Sequence, residues 1–171
     1  MIGGSGVAYT DFEFYTTTYH GNVVPEAAFS RIADRASDFL DVITFDRLID
    51  SLPDDERAKT KVQKAVCAVA EKLYELELAD KQALSAAAGG TSSSGSGGAT
   101  SGVITSRSAG SESISYASPS EMANGAKTWS AVYQAAGDET LTNKLLYSAA
   151  KLYLMGVKDN NGVNLLYAGE R

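Results

Sequence analysis

At 171 residues and a formal net charge of −6, the chain is long enough to bury a core without disulfides or metal. That charge also argues against a protein whose main task is gripping nucleic acid. Its single cysteine excludes an intramolecular disulfide and suits a reducing compartment, and its single histidine excludes metal sites built on paired histidines and most nucleophile–base dyads.

The opening Met1-Ile2-Gly3-Gly4-Ser5-Gly6 has neither the basic region nor the apolar core of a signal peptide, and no apolar run approaches the roughly 20 residues that span a bilayer. The expectation is a soluble, intracellularly made single domain over residues 1–171. Thr10 and Glu13 fit a capping box, with Tyr9 placed to staple onto Phe14, so a first helix is expected to run to about Tyr19. Phe12, Tyr15 and Tyr19 give it an aromatic stripe, and His20-Gly21-Asn22 stops it. Pro25 opens a second helix, where Phe29, Ile32, Ala36, Phe39 and Ile43 recur at helical spacing with acids between them. That helix is expected to continue or kink near Thr44-Phe45 and to end around Ile49.

Ser51-Leu52-Pro53-Asp54 starts the longest helix, with Asp54, Asp55 and Glu56 at its positive end. Val62, Val66, Val69, Leu73 and Leu76 form its stripe, which fades past Leu78. Residues 86–117 then follow no helical period. Gly89 to Gly98 is low-complexity Gly/Ser sequence, Val103 to Arg107 is strand-like, and Ser111 to Tyr116 alternates with period two. Ser118-Pro119-Ser120-Glu121 is a strong helix start, and the helix it opens carries Trp129, Val132, Tyr133 and Ala136. Gly137-Asp138 ends that helix and caps a last one with Leu141, Leu145, Ala149 and Leu152 on one side, widened by Leu146 and Tyr153. Gly156 closes it, and a polar turn from Lys158 to Gly162 releases the tail Val163 to Arg171.

The predicted fold is mostly α. It is a small bundle of about five helices with a long Gly/Ser-rich loop leading to a short β strand or hairpin, and an extended C-terminal tail. The helical body covers 10–85 and 118–156, the excursion 86–117 and the tail 157–171.

No catalytic, metal or cofactor site emerges from these residues. His20 lies in a helix-ending turn, and Cys67 reads as a lone buried thiol. Asp54-Asp55-Glu56 answer to the helix dipole, and Asp159-Asn160-Asn161-Gly162 is turn chemistry. The Gly-rich run lacks the Gly-Lys-Ser/Thr ending of a phosphate loop. The aromatic stripe reads as core or subunit interface, because no basic residues interleave with it as strand binding requires. Two apolar extensions are left over. Ser113, Ile114, Ser115 and Tyr116 form a strand too short to be stable alone, and Leu165, Leu166 and Tyr167 lie in a tail that frays unless docked. Strand addition to a partner would satisfy both, and so would folding back onto their own helices.

The order of features resembles the head-to-tail adaptor (connector, or head-completion) proteins of long-tailed bacteriophages and related prophages. The resemblance runs through nearly the whole chain. It is carried by Tyr15-Thr16-Thr17-Thr18-Tyr19-His20-Gly21 with Val24-Pro25, by Phe29 through Phe45 with Asp46-Arg47-Leu48, and by Val62 through Glu71. It continues in Ser111 to Tyr116, in Tyr153-Leu154, and in the tail Leu165-Leu166-Tyr167-Ala168-Gly169. The Gly89 to Gly98 stretch departs from the pattern by being longer and more repetitive.

The resemblance implies a structural virion protein, not an enzyme, made in the bacterial host cytoplasm and located in the virion neck. Such a protein forms a ring of about twelve copies between the portal and the stopper or tail-completion protein, with a channel that passes genomic DNA without reading its sequence. It implies no cofactor and no membrane partner. The segments expected to touch the portal or a neighbouring subunit are Ser113 to Tyr116 and Leu165 to Tyr167. The alternatives are a tail-completion or stopper protein of the same neck, or a small helical regulatory or DNA-binding module.

Overall fold

The computed structural model describes residues 8–89, 104–108, 113–116 and 131–169. Most of the Gly/Ser run, the helix start expected at Ser118, and Trp129 lie outside the described residues. The architecture is mostly helical: α1 (Phe12–Thr17), α2 (Glu26–Ile43), α3 (Glu56–Gly89), α4 (Ala131–Ala135) and α5 (Glu139–Leu154). Ile104–Ser108 (β1) pairs antiparallel with Ser113–Tyr116 (β2). The register sets Arg107 opposite Ile114 and Ile104 opposite Tyr116, with an irregularity between Ile104 and Ser106. The described residues group into two compact units, one drawn from 1–75 and 143–171, the other from 76–142.

In the first unit, the cap of α1 is one residue later than the sequence suggests. Asp11 is the N-cap, and its carboxylate accepts from the Phe14 amide at 2.8 Å. Thr10 is freed from capping and buried, with its hydroxyl 3.9 Å from the Cys67 sulfur. The shift aims Tyr15 into the core, where its ring is fully buried against Phe29 with centroids 4.8 Å apart. The Phe12 ring meets Phe29 edge-on, and Tyr19 stacks on Tyr15. The chain after α1 turns through a left-handed His20 (φ 62°), not through the glycine beside it. Gly21 is needed for another reason: a Cβ there would collide with Cε2, Cζ and Cδ2 of the Tyr15 ring.

Helix α2 buries Phe29, Ile32, Ala33, Ala36, Ser37 and Leu40. It ends at Ile43, short of the expected Ile49, in a Schellman motif. The Asp46 amide donates to the Asp41 carbonyl at 2.9 Å and the Phe45 amide to the Val42 carbonyl at 3.3 Å. The left-handed position that glycine normally fills is taken by Phe45 (φ 57°), followed by Asp46 at φ 60°. A side chain there costs about 1–2 kcal/mol relative to the ordinary helical conformation.

Helix α3 is capped by Asp55, whose carboxylate accepts from the Ala58 amide at 2.7 Å. Its residues 65–70 are all buried, so in this stretch the helix is enclosed on every side. Only small residues, Ala, Val and Cys, allow neighbouring elements that close. Past Leu78 the apolar stripe ends but the helix continues to Gly89, carried by Ala, Leu, Lys and Gln, which are good intrinsic helix formers.

Helix α5 begins where expected. Gly137 (φ 77°) breaks the chain after α4, and the Asp138 carboxylate accepts from the Leu141 amide at 3.0 Å. Its buried face differs from the expected one. Leu146, Ala150 and Leu154 are buried, whereas Leu141 is exposed and Leu152 is 77% exposed. The sequence of α5 carries two apolar stripes, and the body uses the one that includes Leu146 and Leu154.

Candidate partner interface

The last turn of α5 closes through Gly156 (φ 77°) and leads into a tight polar turn. The Asp159 carboxylate accepts from the amides of Asn161 and Val163, both at 2.9 Å, and the Asp159 amide donates to the Val163 carbonyl. Asn160 fastens this turn to the segment ahead of α3. Its side-chain oxygen accepts from the Asp54 amide at 2.7 Å, and its side-chain nitrogen donates to Ser51 Oγ and to the Leu52 carbonyl.

Arg47, on the turn after α2, closes the other side. Its guanidinium donates to the Leu165 carbonyl at 3.2 Å, lies 3.8 Å from the Asp159 carboxylate, and sits over the Phe45 ring at 5.6 Å. The planar fork of arginine suits such a divided task, which a lysine cannot reproduce.

These contacts separate the tail residues singled out by sequence. Leu165 is fully buried in its own body, with its amide donating to the Val157 carbonyl at 2.9 Å. Leu166 is half-buried, and Tyr167 is 52% exposed. Leu165 thus folds back as core, and Tyr167 is the apolar side chain this segment presents outward. Excising residues 163–171 as a block would therefore open the core as well as remove the exposed Tyr167. Ser113, Ile114, Ser115 and Tyr116 lie together on β2 and already pair with β1 of the same chain. A partner strand adding to β2 would take its other edge.

Sequence reasoning missed Phe45, Arg47, Asp41 and Glu71. Glu71 carried a signal: a lone acid directly after the apolar run Val66 to Ala70 implies buried donors waiting for it. It accepts from Tyr15 Oη at 2.9 Å and from Tyr19 Oη at 3.3 Å. Burial, reinforced for Tyr19 chiefly by Glu71, raises both phenols above their ordinary range, so they remain donors.

Tyr9 plays a similar part across the body, donating its hydroxyl to Asp41 at 2.6 Å and its amide to Ser37 Oγ, while its carbonyl accepts from Gln63. Asp41 is pushed above its ordinary value of 3.8 by burial first and by the nearby Asp38 and Asp46 charges, against the lowering effect of the Tyr9 hydroxyl. An ionised Asp41 therefore costs the fold a little at neutral pH. That cost disappears as pH falls through the raised pKa toward 3.8, so this group makes the protein relatively more stable on acidification. The expected size is at most about 0.5 kcal/mol, because the site is open enough for solvent to screen it. Comparing urea midpoints near neutral pH and at about pH 4 should show this increment in the parent and not in Asp41→Asn, whose amide oxygen still accepts from Tyr9.

Cys67 is fully buried, and burial pushes its thiol up to about 12, so it behaves as a small apolar side chain and not as a nucleophile. An open groove of about 410 Å³ lies between the start of α3 and the turn after α5, lined in part by Arg57, Lys61, Lys158, Asp55 and Asp159. Both carboxylates are committed, Asp55 to capping α3 and Asp159 to its own turn and Arg47. Among the described residues, no helix is long and apolar enough to cross a membrane.

Comparison with protein-family models, curated proteins and solved structures returned no match for this chain.

Proposed function

We propose that this chain is the adaptor subunit of a bacteriophage neck, forming a ring between the portal and the stopper or tail and leaving a channel for DNA. The observation that carries the reading is the ordered run of sequence features from Tyr15 to Gly169, whose order resembles that of head-to-tail adaptors. The physical properties agree with it. A helical body with net charge −6 lets DNA pass without retention, since like charges do not adhere. The clamped turn at Arg47 and Asp159 holds Tyr167 at the surface on a rigid base, as a partner anchor requires. In this reading the body is a bundle of about five helices, with the Gly/Ser-rich loop leading to a hairpin at β1 and β2 that reaches a neighbour or the portal.

The reading is tested at Tyr167, because Leu165 serves the core. Tyr167→Ala should fold like the parent and fail to convert portal-bearing heads into tail-competent particles. If particles complete normally with this variant, Tyr167 is not the portal anchor. Crosslinks from the assembled neck to the tail tube and none to the portal would move the protein to the stopper position and overturn the adaptor assignment.

A further inference from the structure

Two exposed faces of the first unit have opposite charge and unused apolar area. Toward and past the end of α2, Val42 (71% exposed), Phe45 (51%) and Ile49 are exposed in a stretch where Asp38, Asp41, Asp46 and Asp50 outnumber Arg35 and Arg47. Asp38 and Asp46 both act electrostatically on Asp41, which places these acids around one point. The outer side of α5 exposes Leu152 and Tyr147, with Met155 just past its end, and Lys144 and Lys151 lie along it one heptad apart. Lys151 reaches over the Tyr147 ring at 6.0 Å. Leu152 belongs to the apolar stripe that the body does not use when it buries Leu146 and Leu154 instead.

The α2 end also holds Phe45 in a left-handed conformation that glycine would adopt without strain. Strained backbone of this kind concentrates at functional sites, and here it presents an aromatic ring outward beside Arg47. We infer that the acidic–apolar end of α2 on one copy docks against the basic–apolar face of α5 on a second copy. The argument is charge complementarity. Asp38, Asp46 and Asp50 repel a copy of themselves, as do Lys144 and Lys151, but each set attracts the other. Because the two faces differ, the contact is heterologous, and repetition closes a ring if the rotation allows. The inference deepens the adaptor reading by naming the contact between neighbouring subunits, and it rests on that reading only for the biological setting.

The test uses the full chain in sedimentation velocity over rising concentration, with circular dichroism as the control for folding. The parent should associate, and association should weaken with added salt. Lys144→Glu/Lys151→Glu and Asp38→Lys/Asp46→Lys should each lose association by about tenfold or more when alone, and regain it when mixed, since each then meets a face of opposite charge. Phe45→Gly, which relieves the strained backbone, should remain folded and associate weakly. A parent that stays monomeric at all concentrations, a charge variant that associates like the parent, or a mixture that fails to recover would each overturn the proposal. Purified chains that associate through these faces yet never join heads would break the adaptor reading alone. Heads completed by a chain reversed at either face would break the contact alone.

Discussion

Tyr15→Phe is expected to destabilise the protein by about 3 kcal/mol, although it removes a single oxygen atom. That oxygen donates to Glu71 at 2.9 Å and accepts from the amides of Val23 and Val24 at 2.9 and 3.0 Å. The ring itself is fully buried, so water cannot replace the hydroxyl without opening the core. Two backbone donors and one carboxylate oxygen would then lose a partner together, each at the cost of a desolvated polar group. Among the described residues, Glu71 keeps the longer bond from Tyr19. For a chain of this length the loss corresponds to a fall of roughly 6–12 °C in Tm, read by thermal unfolding. A change under about 1 kcal/mol would mean that the segment Val23-Val24 is held by other contacts and that Tyr15 is no hub.

Gly21→Ala is the second large effect, and it acts on the same ring. A Cβ at position 21 lands on Cε2, Cζ and Cδ2 of Tyr15, well inside van der Waals contact. The ring is held in place: Phe29 packs against it with centroids 4.8 Å apart, Tyr19 stacks on it, and its hydroxyl is tied to three partners. Overpacking of a core that cannot shift costs about 3 kcal/mol, the upper end of its usual range. The cause is identifiable by a double-mutant cycle. In a Tyr15→Ala background, already destabilised by loss of the ring, the further cost of Gly21→Ala should shrink to a small fraction of its value alone. If the two costs add instead, the strain lies in the backbone of residue 21 and not in its collision with Tyr15. Equilibrium urea unfolding of the four proteins decides it.

The two effects mark the boundary of what could be read along the chain. Helix starts at Pro25 and Asp138 and the stop at Gly156 were legible because they are local, fixed by residues within one turn of the helix end. The mostly helical class followed from the 3.6-residue period of Phe29, Ile32 and Ala36 and of Val62, Val66 and Val69, all buried. The close of α2 is also local, and it falls at the Thr44-Phe45 position where a kink is expected and not at Ile49. Phe45 occupies a position where glycine or asparagine is the usual signal, so nothing in the residue type announced the turn.

Of the residues picked for partners, Leu165 and Tyr167 share one apolar tail in the sequence, and only the fold divides them into core and surface. The Asp159–Asn160 turn and Arg47, far away in sequence, make that division. In α5 the composition permits two apolar faces, and nothing within the helix ranks Leu152 against Leu154. The choice was made outside the helix, by the Tyr19 ring against Tyr153 and by the body that receives Leu146, Ala150 and Leu154. Periodicity reports that a helix has an apolar face, because that depends on spacing along one segment. Which face is buried depends on the shape of the surface it meets, which is built from residues elsewhere in the chain and exists only once they have packed.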